Sequence, residues 1–184
     1  MPAKITNIIN RLGRTLHCLQ FAQGLNPAQW EALRYMSRAN RYSRTPSALA
    51  EYLQTTKGTA SQTLKCLESK GYVRRVAVPE DRRAVRIDVT DSGLAVLKRD
   101  PLQCLERSAS ALGEDIEPVR RVLGRLAASL ERYNEGKAFG LCEECTHFCK
   151  NAAPAVEGGP NKCGLTGEPL STVEATKICV NHRA

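Results

Sequence analysis

The sequence predicts a mainly α-helical fold carrying one β-hairpin, followed by a small cysteine-rich segment. Three observations predict it. Apolar residues recur at helical spacing from Ile5 to Leu19 and again from Ile116 to Leu130. Between Tyr72 and Val89 the period drops to two, the mark of paired strands. Five of the eight cysteines fall in the last 43 of the 184 residues, from Cys142 onward.

The first helix carries Ile5, Ile8, Ile9, Leu12, Leu16 and Leu19 on one face, and Gly24 ends it. Asn26 followed by Pro27 is an N-cap with proline at the first helical position, so a second helix starts there with Trp30, Leu33 and Met36 facing inward. Thr45-Pro46 repeats that signature before a short third helix to Leu53. A fourth runs from Thr56 to Lys70, with Gly71 as its stop. The strands are expected over Tyr72–Val78 and Ala84–Val89, joined by the polar turn Pro79-Glu80-Asp81-Arg82-Arg83. Thr90-Asp91 caps a long helix to about Leu112, bent at Pro101, and Ile116, Val119, Leu123, Leu126 and Leu130 line a last one. Two short helices, a tight turn and a hairpin make a winged helix-turn-helix.

Charge follows this division. Residues 1–90 carry 15 Lys/Arg against 6 Asp/Glu, whereas residues 91–140 and 141–184 are close to neutral, so the net +8 arises in the first half. A concentrated positive surface favours phosphate contacts through counterion release. No apolar run reaches membrane-spanning length, and Met1–Ala22 lacks the layout of a secretion signal, so a cytoplasmic protein with no membrane partner is expected. No phosphate-binding loop or nucleotide fingerprint is present, and His17, His147 and His182 have no evident nucleophile partner, which argues against an enzyme.

In a winged helix-turn-helix the second helix of the pair enters the major groove and needs small polar and basic side chains on its open face. Thr56, Lys57, Thr59, Ser61, Gln62 and Lys65 meet that demand, with Leu64 and Leu67 pointing inward. Gln62 suits an adenine edge, Lys57 and Lys65 guanine or phosphate, and Arg82 or Arg83 at the hairpin tip a narrow minor groove. The run Leu67-Glu68-Ser69-Lys70-Gly71-Tyr72-Val73, then Pro79-Glu80-Asp81-Arg82-Arg83, then Val89-Thr90-Asp91-Ser92-Gly93 resembles the MarR family of bacterial transcription regulators, over about residues 5–135. The resemblance implies a homodimer with interleaved terminal helices, acting on double-stranded DNA at a near-palindromic operator; a repressor is expected, with an activator as the alternative. The stripes Ile5–Leu19 and Ile116–Leu130 suit such an interface or, equally, an intrachain core.

The expected organisation is thus a DNA-binding and dimerisation domain over 1–135, a linker over 136–141 and a metal-binding segment over 142–184. Reducing cytoplasm makes clustered cysteines a metal or redox site rather than disulfides. Cys142 and Cys145 form a CxxC; seventeen residues separate Cys145 from Cys163 and fifteen separate Cys163 from Cys179. Four thiolates suit a tetrahedral zinc or, one per iron, a cubane 4Fe-4S cluster. A zinc ribbon usually has a second CxxC, which is absent here, although Cys179-Val-Asn-His182 supplies a Cys/His pair. Cys142-Glu-Glu-Cys145-Thr-His-Phe148 and Cys163-Gly-Leu165-Thr-Gly-Glu-Pro-Leu170 resemble the ligand segments of high-potential iron–sulfur proteins, in loops slightly longer than theirs. The resemblance implies an iron–sulfur cluster on Cys142, Cys145, Cys163 and Cys179, shielded by Phe148, Leu165, Leu170 and Ile178. Such a cluster would report redox state, oxygen, nitric oxide or iron supply by shifting the dimer. A structural zinc module and a thiol-based peroxide sensor are the alternatives. Cys149 is read as a non-ligand, His147 as a surface residue, and His182 as open between ligand, outer partner and neither. Cys18, Cys66 and Cys104 are read as core positions on helices, with a sensing role for Cys18 as the exception.

Overall fold

The computed structural model describes residues 2–78, 81–133, 139–152 and 158–183. Helix α1 (Pro2–Leu19) leads through a turn with Gly24 at φ 69° to α2 (Pro27–Arg38), α3 (Pro46–Tyr52) and α4 (Lys57–Ser69). The caps act as the sequence predicts. Asn26 accepts from the Gln29 N–H and Gln29 answers the Asn26 N–H, while Thr45 and Thr56 accept from Ala48 and Thr59. Each such cap contributes about 1 kcal/mol.

Strand β1 (Val73–Val78) pairs antiparallel with β2 (Asp81–Val89), Val73 opposite Val89 and Ala77 opposite Val85, with the register shifting between Ala77 and Val78. Strand β2 therefore begins three residues before the expected Ala84, and Arg82 and Arg83 belong to it. Their side chains lie outside the described residues. Trp30, Leu33, Met36, Leu49, Leu64 and Ile87 form the fully buried centre where α2, α3, α4 and the wing meet. Burying each such side chain contributes about 1.5–3 kcal/mol. A Cβ on Gly93 would fall on the Tyr72 carbonyl, so only glycine lets the helix after the wing pack this closely.

That helix differs from expectation. In place of one bent helix to Leu112 there are two, α5 (Asp91–Leu97) and α6 (Gln103–Ser110). Pro101 cannot continue the ladder of α5, and Asp100 caps the break by accepting from the Leu102 N–H. Asp100 is held there by Arg34 of α2, whose Nε and Nη2 meet its two oxygens at 2.6 and 2.7 Å. Burial alone raises the Asp100 carboxyl, but the Arg34 and Leu102 hydrogen bonds outweigh it and hold the group below the usual carboxylate range.

Helices α1, α6 and α7 (Ile116–Tyr133) keep their apolar stripes outward. Ile8, Leu12, Val122, Leu123 and Leu130 are each about half exposed, so the stripes do not form an intrachain core.

The cysteine-rich segment has its own small framework. Strand β3 (Gly140–Leu141) pairs with β7 (Ile178–Cys179), and β4 (Phe148–Cys149), β5 (Asn161–Cys163) and β6 (Pro169–Leu170) form a three-stranded sheet. Helix α8 (Thr172–Ala175), capped by Ser171, bridges the two sheets. Phe139, assigned above to the linker, packs edge-on against Tyr35 and Tyr52, while Ile178 joins the winged-helix core.

Candidate metal centre and DNA-facing surface

Each of the four proposed ligands sits at the end of a short element. Cys142 opens a 3-10 turn after β3, Cys145 closes it, Cys163 ends β5 and Cys179 ends β7. Hydrogen bonding from the Cys145 N–H to the Cys142 carbonyl makes the CxxC knuckle. All four side chains line one small cavity, with room of about 20 Å³ for water-sized molecules. Phe148, Leu165 and Leu170 supply its apolar wall, and Tyr42, Thr166 and Asn181 its polar edge.

Two N–H groups already address the sulfurs. The Asn40 side-chain amide donates to Cys142 Sγ at 3.1 Å, and the Arg183 backbone N–H to Cys145 Sγ at 3.4 Å. Cys142 and Cys179 also share a thiol hydrogen bond. That bond, with burial, holds the proton on Cys142, and the same bond pulls the Cys179 thiol below its ordinary range.

The donor set, the apolar wall and the N–H groups on sulfur fit a metal–sulfur group. Among the described residues no three His, Cys, Asp or Glu side chains stand together as ligands for a single metal ion. Tetrahedral zinc would need its four sulfurs about 3.8 Å apart, given Zn–S bonds of about 2.3 Å. A cubane spreads its cysteines over four irons and sets them wider.

The remaining cysteines separate cleanly. Cys149 is exposed and outside the cavity lining. Cys66 and Cys104 are half-buried, and Cys18 is exposed on α1, which corrects the core reading for Cys18. His147, expected at the surface, lines the cavity, and its Nε2 is buried with no hydrogen-bond partner among the described residues. His182 does not line the cavity; its ring covers Gly140, where a Cβ would collide with it.

Sequence reasoning missed what the segment rests on. It packs not beyond the last long helix but against residues 39–44, the connection from α2 to α3. There Asn40 and Ser43 are fully buried, Arg41 donates to the Pro169 carbonyl, and Tyr42 Oη to Glu168 at 2.6 Å. No local pattern announces these contacts, because their partners lie more than a hundred residues away.

Helix α4 turns its other face to solvent. With Ala60, Leu64 and Leu67 buried, a turn of about 100° per residue aims Gln62 and Lys65 directly outward, with Thr59 and Ser61 flanking them. Thr56 and Lys57 stand exposed at the N-terminal end, where Thr56 is the cap.

Comparison with known proteins locates this architecture. Residues 23–84 match the MarR family model. The matched stretch runs from the turn before α2 into β2, which is the whole helix-turn-helix and most of the wing. Over 97 residues the chain is 31% identical to the HTH-type transcriptional regulator PecS of Dickeya dadantii, covering 50% of this chain and 58% of that protein. Solved structures share the fold, among them two DNA complexes. One is the S. aureus MepR–DNA complex (TM-score 0.55, 21% identity, 71% of this chain and 98% of that one). The other is Streptococcus pneumoniae FabT in complex with DNA (TM-score 0.53, 25% identity, 73% and 94%). The MarR-like segment is thus a winged helix, and the chain spans just over half the length of PecS.

Proposed function

We propose that this protein is a MarR-type, DNA-binding transcription regulator whose four-cysteine cavity holds an iron–sulfur cluster. It acts as a homodimeric repressor on a near-palindromic operator and is not an enzyme. The observation that carries the reading is the convergence of Cys142, Cys145, Cys163 and Cys179 on one cavity docked against the winged-helix core. When bound, the cluster supplies a charge that changes with redox state, oxygen, nitric oxide or iron supply. The chain's own residues do the rest. Phe148, Leu165 and Leu170 limit water, Asn40 and Arg183 address the sulfurs, and Gln62 and Lys65 present the base- and phosphate-facing surface. The outward stripes of α1, α6 and α7 supply the face for a second copy of the chain.

The test is DNA affinity of the full chain, purified without oxygen and then stripped by chelator, on a duplex selected from random sequence. A difference of tenfold or more between the two forms is expected. Equal affinity removes the sensing role.

A further inference from the structure

Asn40 belongs to the winged-helix core, yet its side chain ends on a cysteine of the other segment. It lies between the C-cap of α2 at Ala39 and the N-cap of α3 at Thr45, and it is fully buried. Its Oδ1 accepts three bonds within its own turn, from Tyr42 N–H at 3.1 Å, Ser43 N–H at 3.0 Å and Ser43 Oγ at 2.7 Å. Those donors fix the orientation of the amide, because a flipped side chain would turn its NH2 towards two backbone N–H groups. The NH2 therefore faces Cys142 Sγ at 3.1 Å. A second thread runs beside the first. Ser43 Oγ accepts from the Val180 N–H at 2.8 Å, one residue past Cys179, and the Asn40 N–H donates to the Ile178 carbonyl at 2.9 Å.

The other end of the turn holds α2 and the wing. The Ser43 carbonyl accepts from Tyr35 Oη of α2 at 2.9 Å, and the Arg44 carbonyl from the Ile87 N–H of β2 at 2.8 Å. Arg44 also pairs with Asp88 of the wing at 2.9 Å. Five consecutive residues thus connect a cysteine sulfur to α2, to the start of α3 and to the wing.

We propose that Asn40 is the positioning residue through which the winged-helix core holds the four-cysteine site and answers to its contents. This rests on the reading of the cavity as a metal centre. A metal-bound thiolate takes a charge-assisted N–H···S bond from Asn40 and draws the turn towards it. Hydrogen bonds to cluster sulfurs also help set the reduction potential.

The test uses the full chain loaded anaerobically with ferrous iron and sulfide. Asn40→Ser keeps a turn-forming acceptor and removes the amide NH2; Asn40→Asp keeps the acceptor oxygen and replaces the NH2 with a second oxygen. For both, we expect a more negative reduction potential and iron release to a chelator on the order of tenfold faster. The loaded-to-stripped ratio of DNA affinity should also fall to within about twofold of one. Variants with wild-type potential, iron release and ratio overturn the assignment of Asn40 while leaving the metal centre standing. A wild-type chain that loads iron and sulfide but shows a ratio of one overturns the coupling. If the wild-type chain takes up neither iron nor sulfide, the metal reading itself fails and the role of Asn40 with it.

Discussion

Cys149 and Cys163 carry the same thiol on neighbouring strands of one small sheet, and their surroundings differ in kind. Cys163 points into the shared cavity, whereas Cys149 faces solvent. Cys163→Ala should therefore abolish iron uptake, and Cys149→Ala should leave it intact, both read by iron analysis of the anaerobic protein. On α4, Gln62 and Lys65 are both exposed and aimed away from the core. Gln62→Ala should cost about 1–3 kcal/mol at one base position and relax specificity there. Lys65→Ala should weaken binding to all sequences and lower the salt slope by about 1, as titrations across a salt series would show. Spacing made the four cysteines and the exposed face of α4 legible in the sequence, since both follow from local periodicity. Asn40 and Ser43 were not legible. A buried Asn and Ser after a helix look like any turn, and only their distant partners give them a role.

Among the elements, the ends were easiest to read and the breaks hardest. Asn26-Pro27, Thr45-Pro46, Thr56 and Thr90 each sit where the structure places an N-cap, because a side-chain oxygen ahead of free N–H groups is a purely local signal. The break between α5 and α6 depends on Arg34, a residue of α2, holding Asp100 in place beyond what Pro101 enforces. Arg34 also donates to Gln20 Oε1 at 2.7 Å, so one guanidinium ties the end of α1, α2 and the start of the α6 arm together. Arg34→Leu should leave the half-buried Asp100 carboxylate without its guanidinium partner and lower stability by about 1–3 kcal/mol in urea titration. The sign of its pH dependence follows from the depressed Asp100 value. The contribution is present above the ordinary carboxylate pKa and is lost as pH falls through the lower folded value, so the variant and wild type should converge in acid. The apolar stripe of α7 is exposed at Val122, Leu123 and Leu130. Leu123→Glu should convert a dimer to a monomer in sedimentation analysis and reduce operator affinity; an unchanged dimer would place the interface elsewhere.

At the scale of the molecule, two units of different character share one boundary. The winged helix carries the basic residues, and a near-neutral cysteine-rich segment packs against its residues 39–44. The sequence led to the expectation that the segment would act through the dimer helices, because it follows them in the chain. The segment also contacts the turn that joins α2 to α3 and touches the wing. Chain order could not reveal this, since the β3–β7 pair folds the segment back onto a turn far upstream. The claim on which the whole account depends is that the four sulfurs hold a cluster. It is tested most directly by the visible absorption spectrum of protein purified without oxygen, with iron, sulfide and zinc measured on the same sample. The account predicts a brown protein with about four irons and four sulfides per chain. A colourless protein with about one tightly held zinc per chain, or with no metal, would contradict it.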